Sequence, residues 1–316
     1  MQKISLQVDA GEILAVVGQS GSGKTTLLHM IAGLTQPDSG SVLLNDHKVE
    51  GPEQKLVPGH PEIRLVHQNS KLHHQMTVEE NLRNALLEYA EDYQNSRIDE
   101  LLNLCRISPT RDQLIHHISG GEKQRLAIAM ALSTEPEVLL FDEPFSQLDL
   151  TSKSILLQEI SSLAKDTGTS ILLVTHDSRD AMEIADRMLV IKEGHLQVEG
   201  TPSQLYGSPK NKYVAGLMGL YNIIPFRNLE VWGQKPKSNR DLGIWAEDLQ
   251  ISKWSFPNAV EGVVLKVIFT GPFYKVLIKI KDTPLELWAI SFDRSLQLDH
   301  RIYVSIPYPK LFELRE

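Results

Sequence analysis

The feature that most constrains this chain is a glycine-rich run near its start, Gly18-Gln-Ser-Gly-Ser-Gly-Lys24-Thr25. Before it stands Ile13–Val17, a continuous apolar run of the kind that forms a strand buried on both faces of a parallel sheet. After it, Thr25–Ala32 reads as a helix. A strand, a tight loop and a helix in that order make an anion cradle. Gly18, Gly21 and Gly23 let the backbone wrap with its N–H groups turned inward, and the helix N-terminus adds a positive partial charge. Lys24 is placed to reach β- and γ-phosphates, and the Thr25 hydroxyl to ligate Mg²⁺. Ser20, Ser22 and Thr26 belong to the same phosphate-facing stretch.

The pattern G-x-x-x-x-G-K-[ST] in this context specifies a nucleoside triphosphate. Alone it does not separate a kinase, a GTPase and a transporter ATPase. A second feature narrows the chemistry. Glu137-Val-Leu-Leu-Phe-Asp142-Glu143 is an apolar run that ends in carboxylates. Ligands of parallel sheets bind at the carboxyl ends of strands, which puts Asp142 near Mg²⁺ and lets Glu143 polarise an attacking water.

Short apolar runs alternate with helical stretches over residues 1–200, so the expected fold class is α/β. Ser41–Leu44, Val138–Phe141 and Ile171–Val174 read as strands. Thr77–Leu132 is mostly helical, and Met188–Ile191 with His195–Val198 form a hairpin around Lys192–Gly194. Tyr206–Lys212 has linker chemistry. Beyond Pro225 the chain turns β-rich, with strands at Val260–Phe269, Tyr274–Ile280 and Arg301–Ile306, and a small all-β barrel or sandwich is expected.

The length of 316 residues suits two domains. The net charge of −8 disfavours a nucleic-acid partner. The lone Cys105 cannot form an internal disulfide and suits a reducing cytoplasm. No apolar run reaches the ~20 residues of a membrane-spanning helix, and Met1–Glu12 has no signal-peptide core. His67, His73, His74, His116 and His117 lack a clean metal-ligand pattern.

Ser119-Gly-Gly-Glu-Lys-Gln-Arg125 precedes the helical stretch Leu126–Leu132, and Ser119 with Glu122 makes a capping box. A serine and two glycines at a helix N-terminus also make a second anion site. Ile118-Ser-Gly-Gly-Glu122 resembles the Leu-Ser-Gly-Gly-Gln signature of ABC transporter ATPases. The other motifs of that family follow in order over residues 18–176: Gln68 at the Q-loop position, Phe145-Ser-Gln-Leu-Asp149 like the D-loop, and Val174-Thr-His176-Asp like the switch-histidine loop.

The resemblance implies a P-loop NTPase with a RecA-like core, an antiparallel β subdomain and a helical subdomain over about 71–132. It implies that two such domains form a head-to-tail sandwich, as a homodimer or with a paralogous nucleotide-binding subunit. Each ATP would lie on the phosphate loop of one subunit, with Ser119, Gly120, Gly121, Glu122 and Asp149 closing on it from the other. Thr25, Gln68 and Asp142 would serve Mg²⁺. Glu143, His176 and Gln68 would carry hydrolysis. Integral membrane permeases and a solute-binding protein are the implied partners, and the inner face of the cell membrane the implied location.

In that family an upstream aromatic stacks on adenine, and no aromatic precedes the phosphate loop here. Either upstream residues supply it or the base is held without it, at a cost of about 1–3 kcal/mol by analogy with base stacking. The segment from Glu199 to Gly216 resembles the end of the cassette in sugar, polyamine and ferric-iron importers. Gly243-Ile-Trp-Ala-Glu-Asp248 loosely resembles part of the TOBE barrel that follows it there, without its Arg-Pro. The expected layout is a nucleotide-binding domain over 1–205, a linker over 206–224 and one TOBE-like barrel over 225–316. The rival within the family is a non-transport ATPase of repair or translation. Such proteins carry a long coiled-coil insertion or tandem cassettes, whereas here only a short helical region separates Gln68 from Ser119.

Overall fold

The computed structural model describes residues 3–66, 72–146, 148–234 and 239–314. These divide into two compact units, 1–202 and 203–316.

The first unit opens with β1 (Ile13–Val17), α1 (Lys24–Ile31), β2 (Leu43–Leu44), β3 (His47–Lys48) and β4 (Ile63–Val66). The helices α2 (Val78–Ala85), α3 (Glu91–Leu104) and α4 (Gly120–Leu132) follow. The core resumes with β5 (Val138–Asp142), α5 (Leu150–Thr167), β6 (Ser170–Thr175), α6 (Ser178–Ile184), β7 (Arg187–Lys192) and β8 (His195–Gly200). The sheet order is β4-β5-β6-β1-β7-β8. All neighbours are parallel except β7 and β8, which form the expected hairpin. The antiparallel pair β2–β3 is only a short ribbon.

Strand β1 is buried along its whole length, because its alternate residues feed two separate cores. Ile13, with Leu139, Phe141, Ile171 and Leu173, faces the cluster that also holds Leu82, Ile98, Leu101 and Leu126 of the helical region. Leu14 and Val16, with Leu140, Leu172, Val174 and Leu189, face Leu27 and Leu28 of α1. Coverage on both faces is what an apolar parallel strand requires. Helix α2 starts at a capping box, Thr77 with Glu80, and α5 is stopped by Gly168 at φ 69°.

The second unit contains α7 (Pro202–Gly207, beginning at the boundary), α8 (Lys212–Met218), β9 (Tyr221–Ile224), β10 (Leu242–Trp245) and β11 (Gln250–Ser252). Then come β12 (Val260–Phe269), β13 (Tyr274–Ile280), β14 (Glu286–Ser291), β15 (Arg301–Ser305) and β16 (Phe312–Glu313). Its sheets are antiparallel, in the orders β11-β15-β12-β13-β14 and β16-β10-β9. A bulge at Val264–Lys266 adds twist to β12, and the edge strands β11 and β14 approach one another. The larger sheet thus curls into a half-barrel around Val264, Val276, Ile278 and Ile302.

The stretch read as a linker is structured. Its polar residues end one short helix and start the next: Asn211 Oδ1 accepts the Val214 N–H at 2.9 Å, capping α8. Residues Tyr221–Ile224 then pair with β10. Linker and helix-cap chemistries share the same residue types, which is why composition misreads this segment.

The exposed edge of β14 is closed by a side chain. Buried Asn222 accepts the Trp288 N–H at 2.7 Å and donates to the Trp288 carbonyl at 2.8 Å. One amide thereby substitutes for a strand partner. In Asn222→Ala both backbone groups of Trp288 lose their partner, at about 1–3 kcal/mol each. All four tryptophans, Trp232, Trp245, Trp254 and Trp288, lie in this unit. Urea unfolding followed by tryptophan fluorescence is expected to show the Asn222→Ala midpoint clearly lowered.

In the first unit burial pushes the Cys105 thiol up to about 12, with nearby Glu159 adding to the effect. Alkylation at about pH 8 is expected to be at least about a hundred-fold slower in the folded chain than in denaturant.

Candidate active site

Strand register builds the site. Val17 pairs with Thr175, and Asp142 with Val174. The residues that follow these strand ends, Gly18, Glu143 and His176, therefore emerge side by side at the carboxyl edge of adjacent strands.

The phosphate loop is held on its inner side. A Cβ at Gly18 would lie 2.3 Å from the Ile191 carbonyl oxygen and 2.7 Å from Ser22 Oγ. The Gly194 N–H of the β7–β8 turn donates to the Ser22 carbonyl at 2.9 Å. Gly21 and Gly23 have φ of 80° and 99°, in the left-handed region. Gly23 precedes α1 with no side-chain cap, so the helix N-terminus keeps its N–H groups for a ligand. Ser20, Gly21, Thr25 and Thr26 are exposed. Buried Ser22 Oγ has no hydrogen-bond partner among the described residues.

Lys24 is only 5% exposed. Its ammonium donates to the carbonyls of Gly18 at 2.8 Å and Gln19 at 3.1 Å and lies 4.0 Å from Glu143 Oε1. Burial pushes its pKa below the ordinary lysine value, with Glu143 and Asp142 opposing. Incoming phosphate charge would push it back up. Thr25 Oγ1 donates to Asp142 Oδ1 at 3.1 Å. Glu143 Oε2 is hydrogen-bonded to His176 Nδ1. The Glu143 backbone sits at φ 53°, uncommon for a non-glycine residue, and its N–H donates to the Val174 carbonyl at 3.0 Å.

These residues fit a nucleoside triphosphate with Mg²⁺. The uncapped helix end, the unpartnered Ser22 hydroxyl and the Lys24 ammonium suit phosphate oxygens. Thr25 and Asp142 offer the hard oxygen donors that Mg²⁺ takes. Gln68, assigned to both metal and catalysis from sequence, lies outside the described residues.

A second group forms around the start of α4. The Glu122 N–H donates to Ser119 Oγ at 3.3 Å, and the Ser119 N–H donates to Glu122 Oε2 at 2.7 Å. The Ser119 hydroxyl, which donates to Glu122 Oε2 at 2.7 Å, and then the Ser119 N–H hold the Glu122 carboxyl below its ordinary value. A Cβ at Gly120 would meet nothing within 4 Å, whereas one at Gly121 would touch Ser152 at 3.6 Å. Ser152 in turn donates to Asp149 Oδ2 at 2.7 Å. Asp149 caps α5, accepting the Thr151 and Ser152 N–H groups at 3.0 Å. Glu122 and Asp149 thus serve as helix caps in this chain.

Sequence reasoning missed Ser152 and the ion cluster in which Lys153 meets half-exposed Asp177 and buried Asp180. As single polar residues on helices they carry no pattern. Their contacts exist only once α5 and α6 are packed.

Together, a glycine loop ending in Lys24 and Thr25, an acidic strand end and a histidine just beyond a neighbouring strand meet on one parallel sheet edge, the layout of a P-loop nucleotide site. Comparison with known proteins refines this. The family model described as ABC transporter matches residues 1–146. The spermidine/putrescine import ATP-binding protein PotA of Thermotoga maritima is 37% identical over 73% of this chain and 62% of its own length. The sulfate/thiosulfate import ATP-binding protein CysA of Brucella melitensis is 35% identical over 79% of this chain and 69% of its own. The solved structure of cbiO1 from Clostridium perfringens, part of the ABC transporter complex cbiONQ, superposes with a TM-score of 0.60 at 28% identity, over 64% of this chain and 82% of that one. A dimeric post-hydrolysis state of the ATP-binding cassette MJ0796 with ADP and Pi superposes at 0.54 and 27% identity, over 62% and 88%. The chain belongs to the ABC transporter ATP-binding family. It spans a little under two thirds of the length of its Thermotoga relative.

The glycine environments separate two kinds of substitution. Gly18→Ala forces a Cβ against a backbone carbonyl and is expected to lower stability by about 1–3 kcal/mol and to weaken binding of a fluorescent ATP analogue. Gly120→Ala meets open space and is expected to stay within about 0.5 kcal/mol of the wild type. Thermal unfolding with and without nucleotide checks both.

Proposed function

We propose that this chain is the ATP-binding and ATP-hydrolysing subunit of a solute importer. The observation that carries the reading is the connected set Thr25–Asp142 and Lys24–Glu143–His176 at one sheet edge. A lysine ammonium, a pair of hard oxygen donors and a hydrogen-bonded carboxylate–imidazole pair at one edge support a shared role on one phosphate chain.

The proposed roles are these. The loop amides and Lys24 bind and orient the β- and γ-phosphates, excluding water from their inner side. The carboxylate of Glu143 aligns and polarises the attacking water. The His176 imidazole holds that carboxylate through Nδ1 and offers its other ring nitrogen to a γ-phosphate oxygen. Mg²⁺, held by Thr25 and Asp142 with Gln68 as the third candidate, would supply charge neutralisation. Phosphoryl transfer needs mainly positioning and electrostatic stabilisation, and these side chains provide both.

Ser119, Gly120 and Gly121 offer a helix N-terminus whose glycine at 120 is open to approach. In the reading proposed here it closes on the ATP of a second subunit, identical or paralogous, in a head-to-tail sandwich. Closure and reopening would drive integral membrane permeases. PotA and CysA are both named as import proteins, which supports import; a solute-binding protein is the further partner proposed. Among the described residues no helix is long and apolar enough to cross a membrane. The proposed location is accordingly peripheral, docked on permeases at the cytoplasmic face.

Two variants test this. Glu143→Gln is expected to keep MgATP binding, to lose at least about a hundred-fold in turnover, and to dimerise by light scattering only when MgATP is present. Ser119→Arg is expected to bind ATP and stay monomeric. Normal hydrolysis by Ser119→Arg overturns the sandwich, and normal hydrolysis by Glu143→Gln overturns the assignment of the water-activating carboxylate.

A further inference from the structure

His176 depends on its loop for orientation. Its side chain is 54% exposed, and among the described residues its one hydrogen bond is to Glu143. So little contact leaves the imidazole's position to the backbone at 175–177. That backbone is pinned on its far side. The Asp177 N–H donates to Thr175 Oγ1 at 3.0 Å, and Asp177 Oδ1 caps α6 by accepting the Arg179 N–H at 3.0 Å.

The other carboxylate oxygen of Asp177 faces Lys153 Nζ at 3.5 Å, and the same ammonium bonds Asp180. Asp180 is 4% exposed. Burial pushes its carboxyl up, and Lys153 counters this. A buried carboxylate next to Asp177 is costly without a cation, so Lys153 is the group that lets these two acids share the start of α6. Lys153 lies in the first turn of α5, one residue beyond Ser152, which bonds Asp149 and borders Gly121.

We propose that Lys153 is a positioning residue for His176: it ties the first turn of α5 to Asp177 and Asp180 and so fixes the histidine against Glu143. The proposal rests on the reading of Glu143 and His176 as hydrolytic groups, but the placement of the imidazole can be tested apart from it. Removing the cation leaves the two acids to repel one another, and the loop that carries His176 gives way. Small misplacements of this kind cost turnover far more than they cost binding.

The experiment compares the full chain with Lys153→Met, Lys153→Arg and Asp180→Asn. One readout is the ring resonance of His176 by NMR without nucleotide, assigned by its loss in His176→Gln. The others are steady-state kcat and KM for MgATP. Lys153→Met is expected to shift or broaden the His176 resonance and to lower kcat about tenfold or more with KM within about twofold. Lys153→Arg is expected to restore both. Asp180→Asn, isosteric and cutting the same tie from its other end, is expected to move the His176 resonance in the same sense. An unmoved resonance in Lys153→Met, or in Asp180→Asn should the methionine variant not fold, overturns the proposal. So does a fall in kcat that arginine fails to rescue. A moved resonance in a chain whose wild type does not hydrolyse ATP sinks the hydrolytic reading and leaves the positioning role standing.

Discussion

The parallel register between β1, β6 and β5 is the constraint on which the rest of the first unit depends. Val17 against Thr175 and Val174 against Asp142 set three strand ends level. A slip of one residue in either pairing would turn the side chains that follow to opposite faces of the sheet. Lys24 could then no longer approach Glu143, nor Glu143 reach His176. The register is held by the apolar alternation of the strands, whose two faces bury into different cores. Packing energy in the interior thus fixes polar geometry at the edge.

Around that edge, strain and burial serve the same end. Glu143 adopts a positive φ that its side chain does not favour, and the Val174 carbonyl holds it there. Lys24 is buried at a cost to its charged form, and the carbonyls of its own loop partly repay it. The second unit follows a different logic. Its sheet curls, and the amide of Asn222 occupies the hydrogen-bonding groups that β14 would otherwise expose at Trp288.

Much of this was legible in the sequence. Ile13–Val17 forms the strand read there, as do Val260–Phe269 and Tyr274–Ile280, because long runs of β-branched residues have few other solutions. The Ser119–Glu122 capping box forms as its spacing implied. Other elements were not legible. Ile63–Val66 is short and mixed in polarity, yet it pairs with β5 as the sheet's edge. Tyr206–Lys212 has the composition of a linker and instead ends α7 and caps α8. Gln68 lies outside the described residues, so its role rests on the sequence alone.

The sequence by itself determined the chemistry: a glycine loop with Lys24 and Thr25, an acidic strand end, and a capped Ser-Gly-Gly turn. These are local patterns, and each needs only neighbours in the chain. The tertiary structure alone decided which of them meet. It joined Lys24 of α1 to Glu143 and His176 beyond the ends of β5 and β6, and brought Lys153 to Asp177 and Asp180. Such contacts span many residues of chain. They depend on sheet order and helix packing, which no local pattern encodes.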